Sequence, residues 1–219
     1  MILKKIYDKE QKFVLALDGP SASGKGLIGS MIAKEFDLKY FQSSLVYRGL
    51  AYICIQDKLD IRKPEKLIKL IQDIDIFSRI KDVDLSSEEI GSIASKISVI
   101  SEVREKLGIY LKNIIQVNSR VIMEGRDIGT VIAPSADLKI YITADVNIRA
   151  NRRYKQLCES GKSCILSDIL NQLKIRDERD LNRDIAPLVQ ASDAYLIDTS
   201  YLSPDEVIQK IKTIIDKSV

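Results

Sequence analysis

A glycine-rich segment near the start of the chain has the residue types and spacing of a loop that binds phosphate. The apolar run Phe13–Leu17 leads into Asp18-Gly-Pro-Ser-Ala-Ser-Gly-Lys-Gly26, and a helical pattern follows. The glycines let the backbone curl so that N–H groups point at phosphate oxygens, and the helix adds the positive end of its dipole. In this strand–loop–helix context an incidental glycine-rich turn is the weaker interpretation. We expect nucleotide phosphates to contact Gly19, Pro20, Ser21, Ala22, Ser23, Gly24, Lys25, Gly26 and Leu27.

The loop departs from the common phosphate-binding pattern just after its lysine. A serine or threonine usually follows, and its hydroxyl touches Mg²⁺. Here Gly26 and Leu27 occupy the next two positions. Mg²⁺ is therefore expected to rest mainly on nucleotide phosphates and water, with a carboxylate such as Asp18 or Glu124 behind the water shell. No residue is assigned as a direct metal ligand.

The arginines are concentrated in the second half of the chain. Six of the twelve lie between Arg149 and Arg183, whereas the cations elsewhere are mostly lysines. Arginine binds phosphate through a planar fork of donors. Acidic residues such as Asp177 and Asp180 are interleaved with these arginines. The residues alone therefore leave two interpretations open, a salt-bridged pair of helices and a phosphate-binding surface.

The composition excludes several classes of site. The 219 residues contain no histidine, so a Ser-His-Asp triad and a His-ligated zinc are impossible. The three cysteines form no CxxC pair, which is typical of a protein in the reducing cytoplasm. No apolar run reaches the length of a membrane helix. A net charge of +3 is too small to indicate nucleic acid. We expect neither a membrane nor a nucleic-acid partner.

Apolar runs and helical periodicity alternate along the chain, which predicts an α/β fold of three layers. A central parallel sheet of about five strands would carry helices on both faces. Ser203, Pro204 and Glu206 form a capping box at the start of the last helix. The predicted strands are Phe13–Leu17, Tyr40–Phe41, Val121–Met123, Leu138–Ile142 and Ala194–Ile197. The other predicted helices are Gly24–Phe36, Leu45–Gln56, Val103–Val117, Asn147–Glu159 and Leu166–Asp180.

Four segments resemble those of bacterial cytidylate kinases, a family of nucleoside monophosphate kinases, and the similarity extends over nearly the whole chain. The glycine-rich loop is shared by many phosphate-binding proteins, so it is only moderately specific. Two other segments are much more specific, and their order and spacing make coincidence improbable. The four are Asp18–Gly26, Ser43-Ser-Leu-Val-Tyr-Arg48, Glu124-Gly-Arg-Asp-Ile-Gly-Thr130, and Arg176-Asp-Glu-Arg-Asp-Leu-Asn-Arg183 with Ala186-Pro-Leu188.

This resemblance implies transfer of the γ-phosphoryl group of ATP to CMP or dCMP, with Mg²⁺ as cofactor. It implies phosphate roles for several arginines and a sugar-binding role for Arg176 with Asp180. It also places Ser95 and Arg104 where the family contacts cytosine, and a carboxylate such as Asp127 accepts well from the cytosine amine. The implied catalytic residues are Lys25, Arg126, Arg153 and Arg183. The implied CMP-binding residues are Ser43, Arg48, Ser95, Arg104, Arg126, Asp127, Arg176, Asp180 and Arg183.

The resemblance also implies the organisation of the chain. It predicts one P-loop NTPase domain with an acceptor-binding insertion, a helical lid and a monomeric state. Arg149 and Arg153, four residues apart, would share one face of the first lid helix. Residues 1–12 would be an extension that is disordered or packed on the surface. The predicted ranges are 13–60, 99–145 and 184–219 for the core, 61–98 for the insertion and 146–183 for the lid.

Departures from the family pattern leave alternatives open. Gln42 and Glu124 stand where aspartate is common, Ser44 and Leu45 replace small residues, and the stretch 74–91 is shorter than expected. A preference for UMP or AMP is one alternative. A non-catalytic nucleotide-binding module is the other, motivated by Leu27 and Gln42. Retention of Lys25 favours an enzyme.

Overall fold

A computed structural model describes residues 2–217, apart from the side chains of Leu3, Phe77 and Glu88. The chain divides into two compact units, one formed by the residues up to Phe41 and from Asn118 onward, the other by Gln42–Val117. The second unit is longer than the insertion predicted over 61–98. The unit is longer because the helices before residue 61 and after residue 98 pack against the helices within 61–98.

A five-stranded parallel sheet is the centre of the fold, as predicted, with the strand order β2-β3-β1-β4-β5. Strand β1 pairs in parallel with both β3 and β4, and β4 pairs in parallel with β5. All six residues of β1 are buried, which explains its nearly continuous apolar sequence. The strands are β1 (Phe13–Asp18), β2 (Lys39–Gln42), β3 (Arg120–Gly125), β4 (Leu138–Thr143) and β5 (Tyr195–Asp198).

The register of β1 and β3 brings two of the recognised segments together. Leu17 lies opposite Glu124, and Asp18 lies opposite Gly125. Both strands therefore end at the same edge of the sheet, where α/β proteins bind their ligands. The glycine-rich loop follows β1, and a short π-helical turn over Ile128–Ile132 follows β3.

Helices cover the sheet in the first unit. They are α1 (Ile2–Tyr7), α2 (Lys25–Phe36), α8 (Val146–Glu159), α9 (Leu166–Asn182) and α10 (Pro204–Lys217). Apolar residues of α2 and α10, including Ile32 and Ile211, join those of the strands in the main core. The predicted capping box is confirmed, because Glu206 accepts from the Ser203 N–H at 2.8 Å and the Ser203 hydroxyl accepts from the Glu206 N–H at 3.3 Å.

The N-terminal segment, expected to be disordered or packed on the surface, forms a helix that packs against the core. Its helix α1 places Ile6 in the main core with 1% of its surface exposed. Arg120, at the start of β3, explains how the segment is held. Its guanidinium donates to the carbonyl oxygens of Ile6 at 2.6 Å and of Phe36 at 3.0 Å, near the ends of α1 and α2. Helix C-termini favour a cation, so the buried arginine is stabilised there.

After Gln42, the regular elements among the described residues of the second unit are all helices, joined by turns and loops. Its helices are α3 (Ser43–Gln56), α4 (Pro64–Asp73), α5 (Ile76–Arg79), α6 (Glu88–Ile97) and α7 (Ser101–Val117). Helix α3 packs against α5, α6 and α7, and α4 packs against α7. Buried residues of this unit include Leu50, Ile97 and Leu107. Across the described part of the chain, no helix is long and apolar enough to span a membrane.

Candidate active site

The glycine-rich loop needs glycine at its first position for a steric reason. Gly19 has φ +145°, and a Cβ built there would lie 1.9 Å from the Ile142 carbonyl oxygen on β4. Gly24, with φ +93°, directly precedes α2. A side chain at Gly19 would therefore force the loop away from the sheet. The loop can lie this close to β4 only because residue 19 has no side chain.

The carbonyl oxygens of the loop are held by donors from the surrounding protein. Lys25 Nζ donates to the Pro20 carbonyl at 2.6 Å, and the Ser23 hydroxyl donates to the same oxygen at 3.0 Å. Arg149 donates to the Ser21 carbonyl at 3.0 Å, and the Thr199 hydroxyl donates to the Ser23 carbonyl at 3.1 Å. An anion site must turn its carbonyl oxygens away from the ligand. These four bonds fix the carbonyls in protein contacts.

Lys25 is a buried amine among several charges. Burial is the largest cause that lowers its pKa to about 7, and the positive charges of Arg126 and Arg176 lower it further. Glu124 and Asp18 act in the opposite direction. The negative charge of a bound phosphate would raise the pKa of this amine again. The cluster can therefore gain positive charge when a phosphate binds.

Asp18 anchors the turn that follows β3. Its carboxylate accepts from the Ile128 N–H at 2.9 Å and from the Gly129 N–H at 2.7 Å, and only 5% of the residue is exposed. Burial raises its pKa to about 6 against the effect of these two bonds. Each oxygen of the Asp18 carboxylate thus holds one N–H of the turn that follows Arg126 and Asp127. Because a carboxylate oxygen can accept a second hydrogen bond, the water-shell role expected for Asp18 stays a prediction.

Four of the five expected acceptor-site residues of the first unit form two oppositely charged pairs. Arg126 Nε donates to Asp180 Oδ2 at 3.0 Å, with both side chains mostly buried. Arg183 Nη2 lies 3.9 Å from Asp127 Oδ1, and its Nε donates to the Ala186 carbonyl at 2.5 Å. These contacts bring the end of β3 and the end of α9 together. Arginines held by buried carboxylates are pre-oriented for a phosphate.

Glu124 is the carboxylate at the sheet edge that fits a Mg²⁺ site. Tyr40, on β2, donates its hydroxyl to Glu124 Oε2. The tyrosine ring lies over α2 so closely that a Cβ on Gly29 would be 2.7 Å from ring atom Cε2. The described residues contain no cluster of three or more carboxylate, thiol or imidazole side chains that could hold a metal alone. This donor set suits an ion that keeps its waters and nucleotide phosphates as ligands.

The predicted lid is a hairpin of α8 and α9 with its own apolar cluster. Ala150, Leu157, Ile169 and Leu173 form that cluster. Arg149 and Arg153 lie four residues apart on α8, as expected, but Arg149 is buried. It is 5% exposed and donates to the Ala144 carbonyl at 2.8 Å and to Asp177 Oδ2 at 2.5 Å.

Arg149 thus serves the packing of the hairpin and of the loop. Arg153 is half-buried and donates to the Gln156 side chain at 2.9 Å. Arg176 is also half-buried on α9. Both remain candidates to contact a phosphate.

The second unit holds the other expected acceptor-site residues. Ser43 is buried at the start of α3, and Arg48 on the same helix donates to the carbonyl oxygens of Leu85 and Ser87. Ser95 is half-buried on α6. Arg104 on α7 is buried, donates to the Ser98 carbonyl at 3.2 Å and lies 5.9 Å from the centre of the Tyr47 ring. Within this unit the two arginines are held by backbone carbonyls.

Sequence reasoning missed three residues that shape the site. Tyr40 belonged to a weak strand, and nothing in the sequence linked it to Glu124. Arg149 was placed on the lid helix without its contact to the glycine-rich loop, and Thr199 carried no motif. Their roles depend on contacts between segments far apart in the chain.

Comparisons with known proteins agree with this geometry. The model of the cytidylate kinase family matches residues 15–217. A cytidylate kinase of Rickettsia canadensis is 56% identical over 207 residues, which cover 94% of this chain and 94% of that protein. A cytidylate kinase of Rickettsia rickettsii is 53% identical over 215 residues, which cover 98% of this chain and 97% of that protein.

Solved structures share the fold at much lower identity. An uncharacterised protein from Eubacterium ventriosum has a TM-score of 0.54 at 13% identity, covering 94% of this chain and 99% of that one. Shikimate kinase from Bacteroides thetaiotaomicron has a TM-score of 0.50 at 10% identity, covering 93% of this chain and 98% of that one. At such identities the likeness concerns the fold alone.

Proposed function

The chain belongs to the cytidylate kinase family, and on that premise we propose that it transfers the γ-phosphoryl group of ATP to CMP or dCMP. An oxygen of the acceptor phosphate attacks the γ-phosphorus, and the bond to the β-phosphate oxygen breaks. ADP leaves with that electron pair, and CDP or dCDP is the second product. The observation that supports this most directly is the buried Lys25 amine beside the glycine-rich loop, whose pKa is lowered by burial and further by Arg126 and Arg176.

Positioning and charge account for the catalysis that we propose. The loop N–H groups and Lys25 hold the donor phosphates, while Arg126, Arg153 and Arg183 neutralise charge that spreads over the transferred group. Phosphoryl transfer needs no covalent intermediate and no histidine base. This agrees with a chain that contains no histidine. A cation cluster in a water-poor site is what the reaction requires.

The acceptor is recognised through its three chemical parts. Arg48, Arg126 and Arg183 bind its phosphate in this proposal, and Arg176 with Asp180 binds its sugar. Asp127 accepts from the exocyclic amine of cytosine, with Ser95 and Arg104 as further base contacts and Ser43 beside them. A carboxylate suits the amine of cytosine and is repelled by the carbonyl at the same place in uracil.

Magnesium fits this site through Glu124 and the nucleotide. The ion would be held by ATP phosphates and water, with Glu124 accepting from that water. When bound, it neutralises phosphate charge. Tyr40 orients Glu124 by its hydroxyl. We also propose that the protein acts as a monomer in the cytoplasm.

The proposal is tested by measuring ADP release with ATP and Mg²⁺ across CMP, dCMP, UMP, AMP and GMP. We expect CMP and dCMP to be the best acceptors. Asp127→Asn should lower the ratio of kcat/KM for CMP over UMP by at least about tenfold, which corresponds to about 1.4 kcal/mol of transition-state discrimination.

The control for that variant is Asp193→Asn, which changes an exposed aspartate paired with Lys139. It should leave the ratio unchanged. Folded protein that binds ATP but phosphorylates none of the five acceptors would contradict the proposed reaction. An unchanged CMP over UMP ratio in Asp127→Asn would contradict the role of Asp127 alone.

A further inference from the structure

The tip of the α8–α9 hairpin brings two cysteines together. Cys158 lies in the last turn of α8, and Cys164 lies just before α9. Their sulfur atoms are 3.8 Å apart. Cys158 is exposed and Cys164 is partly exposed. The reaction proposed above uses neither thiol, so the pair calls for its own explanation.

The backbone itself produces this contact. Gly161, with φ +71°, takes the left-handed conformation just after α8. The Lys162 N–H donates to the Leu157 carbonyl at 3.0 Å, and the Gly161 N–H donates to the Cys158 carbonyl at 2.9 Å. This pair of bonds is the Schellman motif, which reverses the chain at the end of a helix. The reversal carries Cys164 back toward Cys158 and the Tyr154 carbonyl.

The remaining gap to a covalent bond is small. A disulfide needs a sulfur–sulfur distance of about 2.05 Å, so the two sulfur atoms must approach by about 1.8 Å. Both side chains lie at a turn on the protein surface, where a change of rotamer can supply that movement. The third cysteine, Cys54, has no such access, because it is buried on α3 and burial raises its pKa to about 11.

We infer that Cys158 and Cys164 are a modification site that closes to an intramolecular disulfide by exchange with a small-molecule disulfide such as oxidised glutathione. The Cys158 thiolate attacks one glutathione sulfur, which forms a mixed disulfide and releases one glutathione thiolate. The Cys164 thiolate then attacks the Cys158 sulfur and displaces the second glutathione. The protein is oxidised by loss of two hydrogen atoms, and the small disulfide is reduced to two thiols.

The order of the two steps follows from exposure. Cys158 is the more exposed thiol and is the one that an external disulfide reaches. Partial burial and the neighbouring Cys158 raise the pKa of Cys164, so Cys164 is the poorer first nucleophile. Once Cys158 carries glutathione, Cys164 is already in contact with the sulfur that it must attack.

The bond braces the tip of the hairpin. It links the end of α8 to the segment that begins α9 through a loop of a few residues, which removes many conformations from the locally opened chain. Amide hydrogens over residues 159–165 should therefore exchange at least about tenfold more slowly in the oxidised protein. Dithiothreitol should restore the faster exchange.

The experiment treats the full-length protein with oxidised glutathione and follows its intact mass and its disulfide-linked peptides. We expect the protein to lose two hydrogen atoms and to yield a peptide pair linked between Cys158 and Cys164. The single variants Cys158→Ser and Cys164→Ser should each keep one glutathione instead, bound to the remaining cysteine of the hairpin pair. Cys54→Ser is the matched control and should behave like the unchanged protein.

Two results would overturn the inference. One is that the protein with all three cysteines keeps a stable glutathione adduct on Cys158 or remains fully reduced. The other is a disulfide between two protein molecules in place of the intramolecular one. These readouts do not use the kinase assay, so their failure is distinguishable from failure of the proposed reaction.

Discussion

At the scale of single residues, the site depends on ionisable groups that the fold keeps away from water. Lys25 and Asp18 are both buried, and burial moves the pKa of each toward neutrality, to about 7 and about 6. The shift in Lys25 makes its charge responsive to a bound anion. The shift in Asp18 is the cost of placing a carboxylate where it can hold the backbone after β3.

Lys25 should take up a proton when nucleotide binds near pH 8. In the folded protein its pKa is about 7, so at pH 8 most of the amine is neutral. The phosphates raise that pKa, and the amine gains a proton on binding. Calorimetry of ATP binding in Tris and in HEPES should give enthalpies that differ in proportion to the proton taken up from the buffer.

The control for this prediction is the same titration at pH 6. There Lys25 is already protonated, so its contribution to the buffer difference should vanish. Equal binding enthalpies in the two buffers at pH 8 would contradict the prediction.

The lowered pKa of Lys25 also makes protein stability depend on pH. Between about pH 7 and the ordinary lysine pKa of 10.5, the unfolded chain holds the proton more often, so the Lys25 contribution to stability rises with pH.

At the scale of elements, the α8–α9 hairpin combines a structural arginine with half-exposed ones. Arg149 joins the start of α8, the glycine-rich loop and α9 through Ala144, Ser21 and Asp177. Arg153, one turn later, contacts only Gln156 among the hydrogen bonds described for it. Charge density along the sequence does not distinguish these two roles, because the two arginines share one side of α8 and it is the one in the first turn of that helix that contacts the glycine-rich loop.

Arg149→Met should destabilise the protein by about 3 kcal/mol, since it leaves the mostly buried Asp177 carboxylate without its cation. Arg153→Met is the matched control on the same helix and should change the free energy of unfolding by less than about 0.5 kcal/mol. Urea unfolding of both variants measures the difference. Similar losses in the two would show that Arg149 does not hold the hairpin.

At the scale of the whole molecule, the N-terminal segment is part of the folded body. Helix α1 contributes Ile6 to the same apolar core as the strands β1 and β4, and Arg120 holds the carbonyl end of that helix. In the sequence this is a short charged segment ahead of the first strand, and nothing in it indicates that it packs into the core. Its docking depends on an arginine that lies more than a hundred residues away along the chain.

Ile6→Ala should lower the free energy of unfolding by about 3 kcal/mol through loss of apolar burial and creation of a cavity. Lys4→Ala, at an exposed position of the same helix, should have an effect below about 0.5 kcal/mol. Thermal and urea unfolding of the two variants, followed by the same spectroscopic signal, measure both changes in the free energy of unfolding. A small effect of Ile6→Ala would mean that α1 is dispensable to the core.

Local signals were enough to predict much of the architecture. Five short apolar runs predicted the five strands. The signal has a clear physical cause in the inner strands β1, β3 and β4, which are largely buried and therefore show no polar alternation. The capping box at Ser203 and Glu206 is confirmed because it is made within one turn of chain. The ends of β3 and α7 extend beyond their predictions, since Glu124, Gly125 and Ser101 are polar or small and carry no periodic signal.

The sequence by itself determined the α/β class, the phosphate-binding loop, and the family to which the chain belongs. Each of these follows from short sequence motifs or from local periodicity. Only the tertiary structure decided that Asp18 holds the turn after β3, that Tyr40 orients Glu124, and that Arg149 faces inward. These roles arise where segments distant in the chain meet. Burial and hydrogen-bond partners, which decide what a polar side chain does, exist only after folding.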